Sequence, residues 1–382
     1  MLIQNKQISI IGGGPGGLTL ARLLQMNGAN VKVYERDIDE HARVQGATLD
    51  LHEESGLEAL RQAGLMDAFR ANYRPGADKI RIMDEHARIL ADEHAVDSAI
   101  GKRDESRPEI DRGPLRKILL DSLKPGTVVW NSQFSSLTPL GDGWTISFQN
   151  GTTAVADVVI GADGANSKIR PYVTSIKPFY AGVTAIEGVV YDSATATPRM
   201  HELVKDGKIF AFGAAQSLIV SAKGDGSLAF YIGFKTTEDW TQSCGIDFKN
   251  KTEVLAWFLK EYSAWHSTWY ELFENVSYLI PRPQYCMPLD QTWPALSNLT
   301  LLGDAAHLMP PYAGEGVNMA MLDALELSQH LLSASYADLQ MAIGSYEHQM
   351  RGRASEVAAL TLEQTEILHS MNAITHMMQI VG

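Results

Sequence analysis

The chain has 382 residues, 45% hydrophobic and 20% charged, which is long enough for two domains or one large two-part unit around a sizeable core. Its 32 Lys and Arg face 45 Asp and Glu, a net charge of −13 that argues against nucleic acid and anionic membranes as partners. Cys244 and Cys286 make neither a disulfide framework nor a four-cysteine metal site, no apolar run reaches about 18 residues, and no basic cleavable leader precedes the first strand, so a cytoplasmic chain is expected.

Gln7 to Ile11 reads as an apolar strand. Gly12-Gly13-Gly14-Pro15-Gly16-Gly17 follows, then a helical run from Leu18 to Asn27 and a second strand from Asn30 to Glu35. This βαβ unit carries G-x-G-x-x-G at Gly12, Gly14 and Gly17. Gly12 permits the tight turn, Gly14 lets a pyrophosphate approach the backbone, and Gly17 lets helix and strand pack closely, with phosphate on the helix N-terminus. Glu35, ending the second strand, can accept the hydroxyls of an adenosine ribose, and Arg36 can lie against the adenine.

Leu57 to Phe69 reads as a helix and Lys79 to Asp92 as a hairpin. Pro108 to Arg116 opens another helix, running through Leu123, with Asp111 as N-cap and Pro114 early, where a missing N–H costs little. Arg112 and Arg116 share a face of it. They are either two exposed arginines or two cations beside a diphosphate. Val128 to Trp130, Trp144 to Phe148 and Ala154 to Ile160 read as strands, the last entering Gly161-Ala162-Asp163-Gly164-Ala165-Asn166-Ser167-Lys168-Ile169-Arg170.

Residues 176–290 alternate and carry turn signals, which predicts an inserted antiparallel sheet with one face over a cavity. Helices near Lys251 to Tyr262 and Ser267 to Phe273 and a strand from Val276 to Leu289 lead to a buried strand, Leu299 to Leu302. There follows Gly303-Asp304-Ala305-Ala306-His307-Leu308-Met309-Pro310-Pro311-Tyr312-Ala313-Gly314-Glu315-Gly316-Val317-Asn318, then a helix from Met319 to Leu332. Pro and Gly stiffen this loop and let its backbone approach a ligand. Asp304 can accept from sugar-chain hydroxyls, and the amides of Gly316 to Asn318 can bond the acceptor edge of a flat ring. Ala337 to His369 forms a long helix and Met371 to Ile380 a Met-rich tail suited to closing an apolar cavity.

The order G-D, A, H, P, G, G, N in residues 303–318 resembles the second flavin fingerprint of the class A FAD-dependent aromatic hydroxylases. Residues 163–170 look like their D-G-x-x-S-x-x-R motif. Gly12 to Gly17, Glu35 to His52, Pro108 to Arg116 and Gly303 to Asn318 are most similar to the tetracycline-inactivating monooxygenases of bacteria.

The resemblance implies a Rossmann-like FAD-binding domain (1–175 and 291–335), an inserted antiparallel-sheet substrate domain (176–290) and C-terminal helices (336–382) closing the cavity. It implies FAD held by Gly12, Gly14, Gly17, Glu35, Arg36, Asp50, Arg112, Arg116, Asp163, Asp304, Pro311, Gly314, Gly316, Val317 and Asn318. NADPH would bind transiently at Arg43 and Arg170, although a solvated surface role for Arg43 stands equally open.

Substrate would meet Glu187, Lys208, Phe210, Tyr231, Pro311, Tyr312 and Gly314. Glu187 stands where that group has a glutamine, Lys208 where it has an arginine, and Ala229 where it has a histidine. These departures bear on the substrate and leave the cofactor reading intact. The implied activity is hydroxylation of a tetracycline-type enol or phenol by NADPH, O2 and a flavin C4a-hydroperoxide, with no metal and no protein nucleophile, in a monomer. His307 is expected to hold the loop. The alternatives are hydroxylation of another aromatic or polyketide compound, or a flavin-fold escort protein without catalysis.

Overall fold

The computed structural model describes residues 2–41, 48–95 and 107–381. Five parallel strands form one sheet in the order Leu299–Leu301, Val158–Gly161, Gln7–Ile11, Asn30–Tyr34, Val128–Val129. The three strands Leu299–Leu301, Val158–Gly161 and Gln7–Ile11 are buried almost throughout, as expected for strands covered on both faces, whereas Asn30–Tyr34 alternates. Ile8, Ile10, Val31, Val33, Val158, Ile160, Leu299 and Leu301 are all buried. The helices Pro15–Met26 and Gly316–Leu332 pack against each other beside this sheet. Gly16 makes that contact close, since a Cβ there would lie 2.8 Å from the Ala320 carbonyl oxygen.

Register decides where function sits. Ile11 is opposite both Tyr34 and Gly161, and Gly161 is opposite Leu301. The strands therefore end level, and the loops beginning at Gly12, Glu35, Ala162 and Leu302 leave from one edge. Open parallel sheets bind ligands at this carboxyl edge.

A second sheet of seven strands runs in the order Tyr278–Cys286, Phe179–Val190, Leu228–Lys235, Gln216–Ala222, Lys208–Gly213, Ile80–Asp84, Ile89–Asp92. It takes in the 80–92 hairpin from outside residues 176–290, and Lys208–Gly213 pairs with Ile80–Asp84 in parallel, so it is mixed rather than wholly antiparallel. One face, with Ile186, Ile209, Leu218, Val220, Phe230 and Ile232, is buried under an aromatic layer that includes Phe258, Trp269 and Phe273. The period of two leaves alternate residues for the other face. A small meander of Phe134–Leu140, Gly143–Phe148 and Thr153–Ala156 completes the β structure.

The helix expected over Leu57 to Phe69 is instead a π turn at Glu53–Leu57 and two short helices, Glu58–Gln62 and Met66–Arg70. Gly64, at φ +70°, breaks it. The run from Ala154 to Ile160 divides at Asp157, whose carboxylate accepts from the Gln7 amide at 2.6 Å. The helix Pro198–Val204 and the strand Phe134–Leu140 have no counterpart in the sequence reading.

The long helix Leu339–Leu368 is followed by a tail helix, Ala373–Val381. Ala373 and Met377 of the tail pack with Leu368 on Ile82 and Phe212 of the second sheet. Among the described residues no helix is long and apolar enough to cross a membrane.

Candidate functional site: a dinucleotide cradle meeting a sheet face

At the carboxyl edge, Gly12 takes φ +112°, and a Cβ on it would lie 2.2 Å from the Ala162 carbonyl oxygen. A Cβ on Gly17 would lie 2.2 Å from the Gly12 carbonyl oxygen. A Cβ on Gly14 would meet nothing within 4 Å, so the backbone there faces open space at the N-cap of the first helix. Glu35 is 2% exposed and accepts from the Gly13 amide at 2.6 Å and the Asp37 amide at 3.0 Å. Arg36 is exposed beside it.

Asp304 begins the short helix Asp304–His307. Among the described residues its carboxylate accepts no hydrogen bond. Burial raises its pKa, against the lowering fields of His307, Arg112 and Arg170. Arg112 is exposed at the first position of the helix Arg112–Asp121, within reach of that field.

Below this turn lies a network absent from the sequence reading. Asp323, fully buried, accepts from the Gly303 amide (2.8 Å), His307 Nε2 (2.6 Å) and Arg353 (2.7 Å), and Arg353 also grips Glu326. Burial opposes the His307 proton, but Asp323 outweighs it and the pKa rises. His307 thus holds the loop, as expected.

Gly316 is exposed, with open space around it, at the start of the helix Gly316–Leu332; Val317 is half-buried next to it. The amides of this first turn have no partner within the helix. The Asn318 side chain is occupied differently: Oδ1 accepts from the His52 amide (2.9 Å) and Nδ2 donates to the Asp50 carbonyl (2.9 Å). It ties the 50–52 segment to the fingerprint loop.

Four expectations need correction or relocation. Arg170 is 6% exposed, and its guanidinium donates to the Ala305, Asp304 and Ala165 carbonyls at 2.7, 2.8 and 3.3 Å. It pins the D-G turn to the Gly303 loop. Asp163 spends its carboxylate within its own turn, on Ser167 (2.6 Å) and the Lys168 amide (2.6 Å). Arg116 is buried against Asp37 (2.9 Å) and over the Trp130 ring. Asp111 holds the N-cap position, yet its carboxylate accepts from the Gly224 amide at 2.8 Å rather than capping. Arg43 lies outside the described residues.

Where the two halves meet, side chains dominate. Cross-strand pairing places Ile82, Phe210, Ile219, Tyr231 and Glu187 in one row. Lys208, Ser221, Ala229 and Val189 form the next row on the same face, and Phe212, Ser217, Gly233 and Ala185 a third.

The Pro311–Ala313 turn crosses this face. A Cβ on Gly233 would lie 3.1 Å from the Tyr312 hydroxyl and 2.3 Å from His369 Nε2, and one on Gly314 would lie 3.2 Å from Asp50 Oδ2. Pro311 is exposed at the head of the turn. His369 Nε2 lies 3.1 Å from the Ser217 hydroxyl, and burial lowers its pKa to about 4, so it is neutral.

At the opposite end Lys208 pairs with buried Glu109, whose pKa burial raises. Next to them His52 sits between Asp50 (3.2 Å) and Glu315 (3.3 Å). Burial works against its proton, but the two carboxylates raise His52 to about 9. Of these groups, Glu109, Glu315, Asp323 and His369 had escaped the sequence reading. His52 sits two residues from Asp50, so its strand alternation was a usable signal; the others depend on contacts across the fold.

A glycine cradle, an acid at the end of the second strand and a second loop that also lies on the seven-stranded sheet define an FAD-dependent monooxygenase of the class A type. The residues fit the cofactor: the Gly14 backbone is open where a phosphate would lie, and the half-buried Asp304 carboxylate, which accepts no hydrogen bond among the described residues, is available to a sugar chain. The chain belongs to the FAD binding domain family, whose model matches residues 5–220 and 294–361.

Monooxygenase asqM of Emericella nidulans is 28% identical over 93% of this chain and 94% of its own. The 6-hydroxynicotinate 3-monooxygenase of Pseudomonas fluorescens is 28% identical over 95% and 92%. The crystal structure of tetracycline destructase Tet(55) shares the fold at TM-score 0.78, with 19% identity, covering 100% of this chain and 96% of that one.

Proposed function

We propose that the chain hydroxylates an electron-rich phenolic or enolic ring of a tetracycline-type polycyclic molecule, with NADPH and O2 as co-substrates. One observation carries this reading: the Pro311–Gly314 turn reaches from above Gly233 to beside Asp50, so one loop bounds both the dinucleotide cradle and the broad sheet face. The row of Phe210, Ile219, Tyr231 and Glu187 offers a flat, mainly apolar floor for fused rings. The fold shared with Tet(55) supports the choice of substrate class.

When bound, FAD supplies electron acceptance from a nicotinamide and activation of O2 for transfer to a ring carbon. The chain's own residues bind and orient. Gly12 to Gly14 and the first helix N-terminus would take the pyrophosphate, Glu35 the ribose, Asp304 the sugar chain, and the Gly316 and Val317 amides the ring edge. Arg112 adds positive charge beside Asp304. Tyr312, His369 and the tail helix exclude water from the sheet face. In this division residues 1–175 and 291–335 hold the cofactor, 176–290 with the 80–92 hairpin hold the substrate, and 336–382 close over it.

Incubation with tetracycline, NADPH and air should yield a product heavier by one oxygen, measured by mass spectrometry. No mass gain, with NADPH consumption unchanged by tetracycline, would refute the substrate. A smaller heteroaromatic ring is the second reading, favoured by the higher identity to the 6-hydroxynicotinate enzyme. NADPH consumption stimulated by hydroxynicotinate instead of tetracycline would select it.

A further inference from the structure

We infer, on the monooxygenase reading above, that the substrate carries an ammonium group beside its reactive ring, that Glu187 receives it, and that aromatic carboxylates are rejected. The inference begins with the cations. Four described cations face this surface or the loops against it, and all four are spoken for. Lys208 pairs with Glu109, His52 with Asp50 and Glu315, Lys235 with Glu366, and Arg282 with Glu187. Among the described residues of this face a substrate carboxylate would find no uncommitted positive partner. It would also enter a field in which four carboxylates (Asp50, Glu109, Glu187, Glu315) surround three cations (His52, Lys208, Arg282).

The anions are less fully used. Arg282 directs both Nε and its terminal nitrogen to a single Glu187 oxygen, Oε2, each at 2.9 Å. Oε1 of Glu187 accepts no hydrogen bond among the described residues, although the side chain is only 9% exposed. Glu187 lies in the central row beside Tyr231, in line with Phe210, so its open oxygen belongs to the floor of the site. An acceptor left open in a site is matched by a donor-bearing ligand, and an ammonium has three donors and the complementary charge. Arg282, half-exposed, can swing toward water when an ammonium replaces it.

Tyramine and 3-(4-hydroxyphenyl)propionate test this, since they share a phenol and a two-carbon spacer and differ in charge. Their binding to the FAD-loaded enzyme is read by flavin fluorescence. Tyramine should bind about tenfold more tightly than the propionate. Glu187→Gln should reduce that ratio to about threefold or less with flavin content unchanged, and Arg282→Met, which frees Oε2, should increase it. Equal or tighter binding of the propionate, no saturable binding of tyramine, or a ratio insensitive to both substitutions overturns the inference. Hydroxylation of a carboxylate-bearing phenol at full coupling would overturn it while leaving the monooxygenase reading in place. Absence of any substrate-stimulated NADPH oxidation, with tyramine still preferred, would do the reverse.

Discussion

The carboxyl edge of the parallel sheet and the open face of the seven-stranded sheet solve different recognition problems. At the edge, the work falls to backbone: a glycine turn, a helix N-terminus and two acids, each placed within a few residues of a strand end. On the sheet face it falls to side chains such as Glu187, Tyr231 and Phe210, which come from three separate strands and meet through register. The first kind of site tolerates few replacements and suits a constant cofactor. The second can change one side chain at a time, which suits a variable substrate.

Several substitutions would break or sharpen this contrast. Arg353→Met should be the most damaging. It leaves Glu326 without its cation and fully buried Asp323 with only His307 and the Gly303 amide, at a cost of about 3 kcal/mol, read as a lower melting temperature and a loss of flavin. Gly17→Ala forces a methyl group to 2.2 Å from the Gly12 carbonyl oxygen, so overpacking of about 1–3 kcal/mol should lower stability and flavin content together.

Asp304→Ala should leave the fold in place and weaken FAD by roughly 10- to 150-fold, measured by fluorescence titration. Unchanged affinity would remove Asp304 from the cofactor site. On the other side of the comparison, Gly233→Ala pushes a methyl group against His369, Ser217 and Tyr312. It should raise substrate KM by roughly fivefold, about 1 kcal/mol, while flavin content stays the same. If flavin were lost instead, the two regions would not be separable.

The smallest expected effect is one of pH. His52 is raised to about 9, so its contribution is fully present below its ordinary pKa of 6.5 and is lost as pH rises through about 9. A melting series from pH 6 to 10 should show that loss, and His52→Gln should flatten it. His369 has the opposite sign: lowered to about 4, it costs stability as pH falls from 6.5 toward 4.

Much of the flavin half was readable from residue order because its determinants are local. G-x-G-x-x-G, Glu35 and the Gly303 to Asn318 loop each specify a turn and its ligand-facing atoms within a short stretch. What could not be read there was which charges are already spent. Arg170 and Asp163 look like ligand groups in one dimension and in three also tie the structure together, Arg170 to the Gly303 loop and Asp163 within its own turn. The 80–92 hairpin joins the second sheet through a parallel pairing that no local pattern encodes.

The sequence by itself determined the cofactor class and the strand–turn–helix units at the Gly12 and Gly303 turns, since turn geometry and apolar periodicity act over a few residues. Only the tertiary structure decided that Glu187 faces Arg282, that Lys208 answers to Glu109, and that Asp323 and Arg353 brace the fingerprint loop. Each of these pairs joins distant parts of the chain, and strand register and helix packing set them after the local rules have been satisfied.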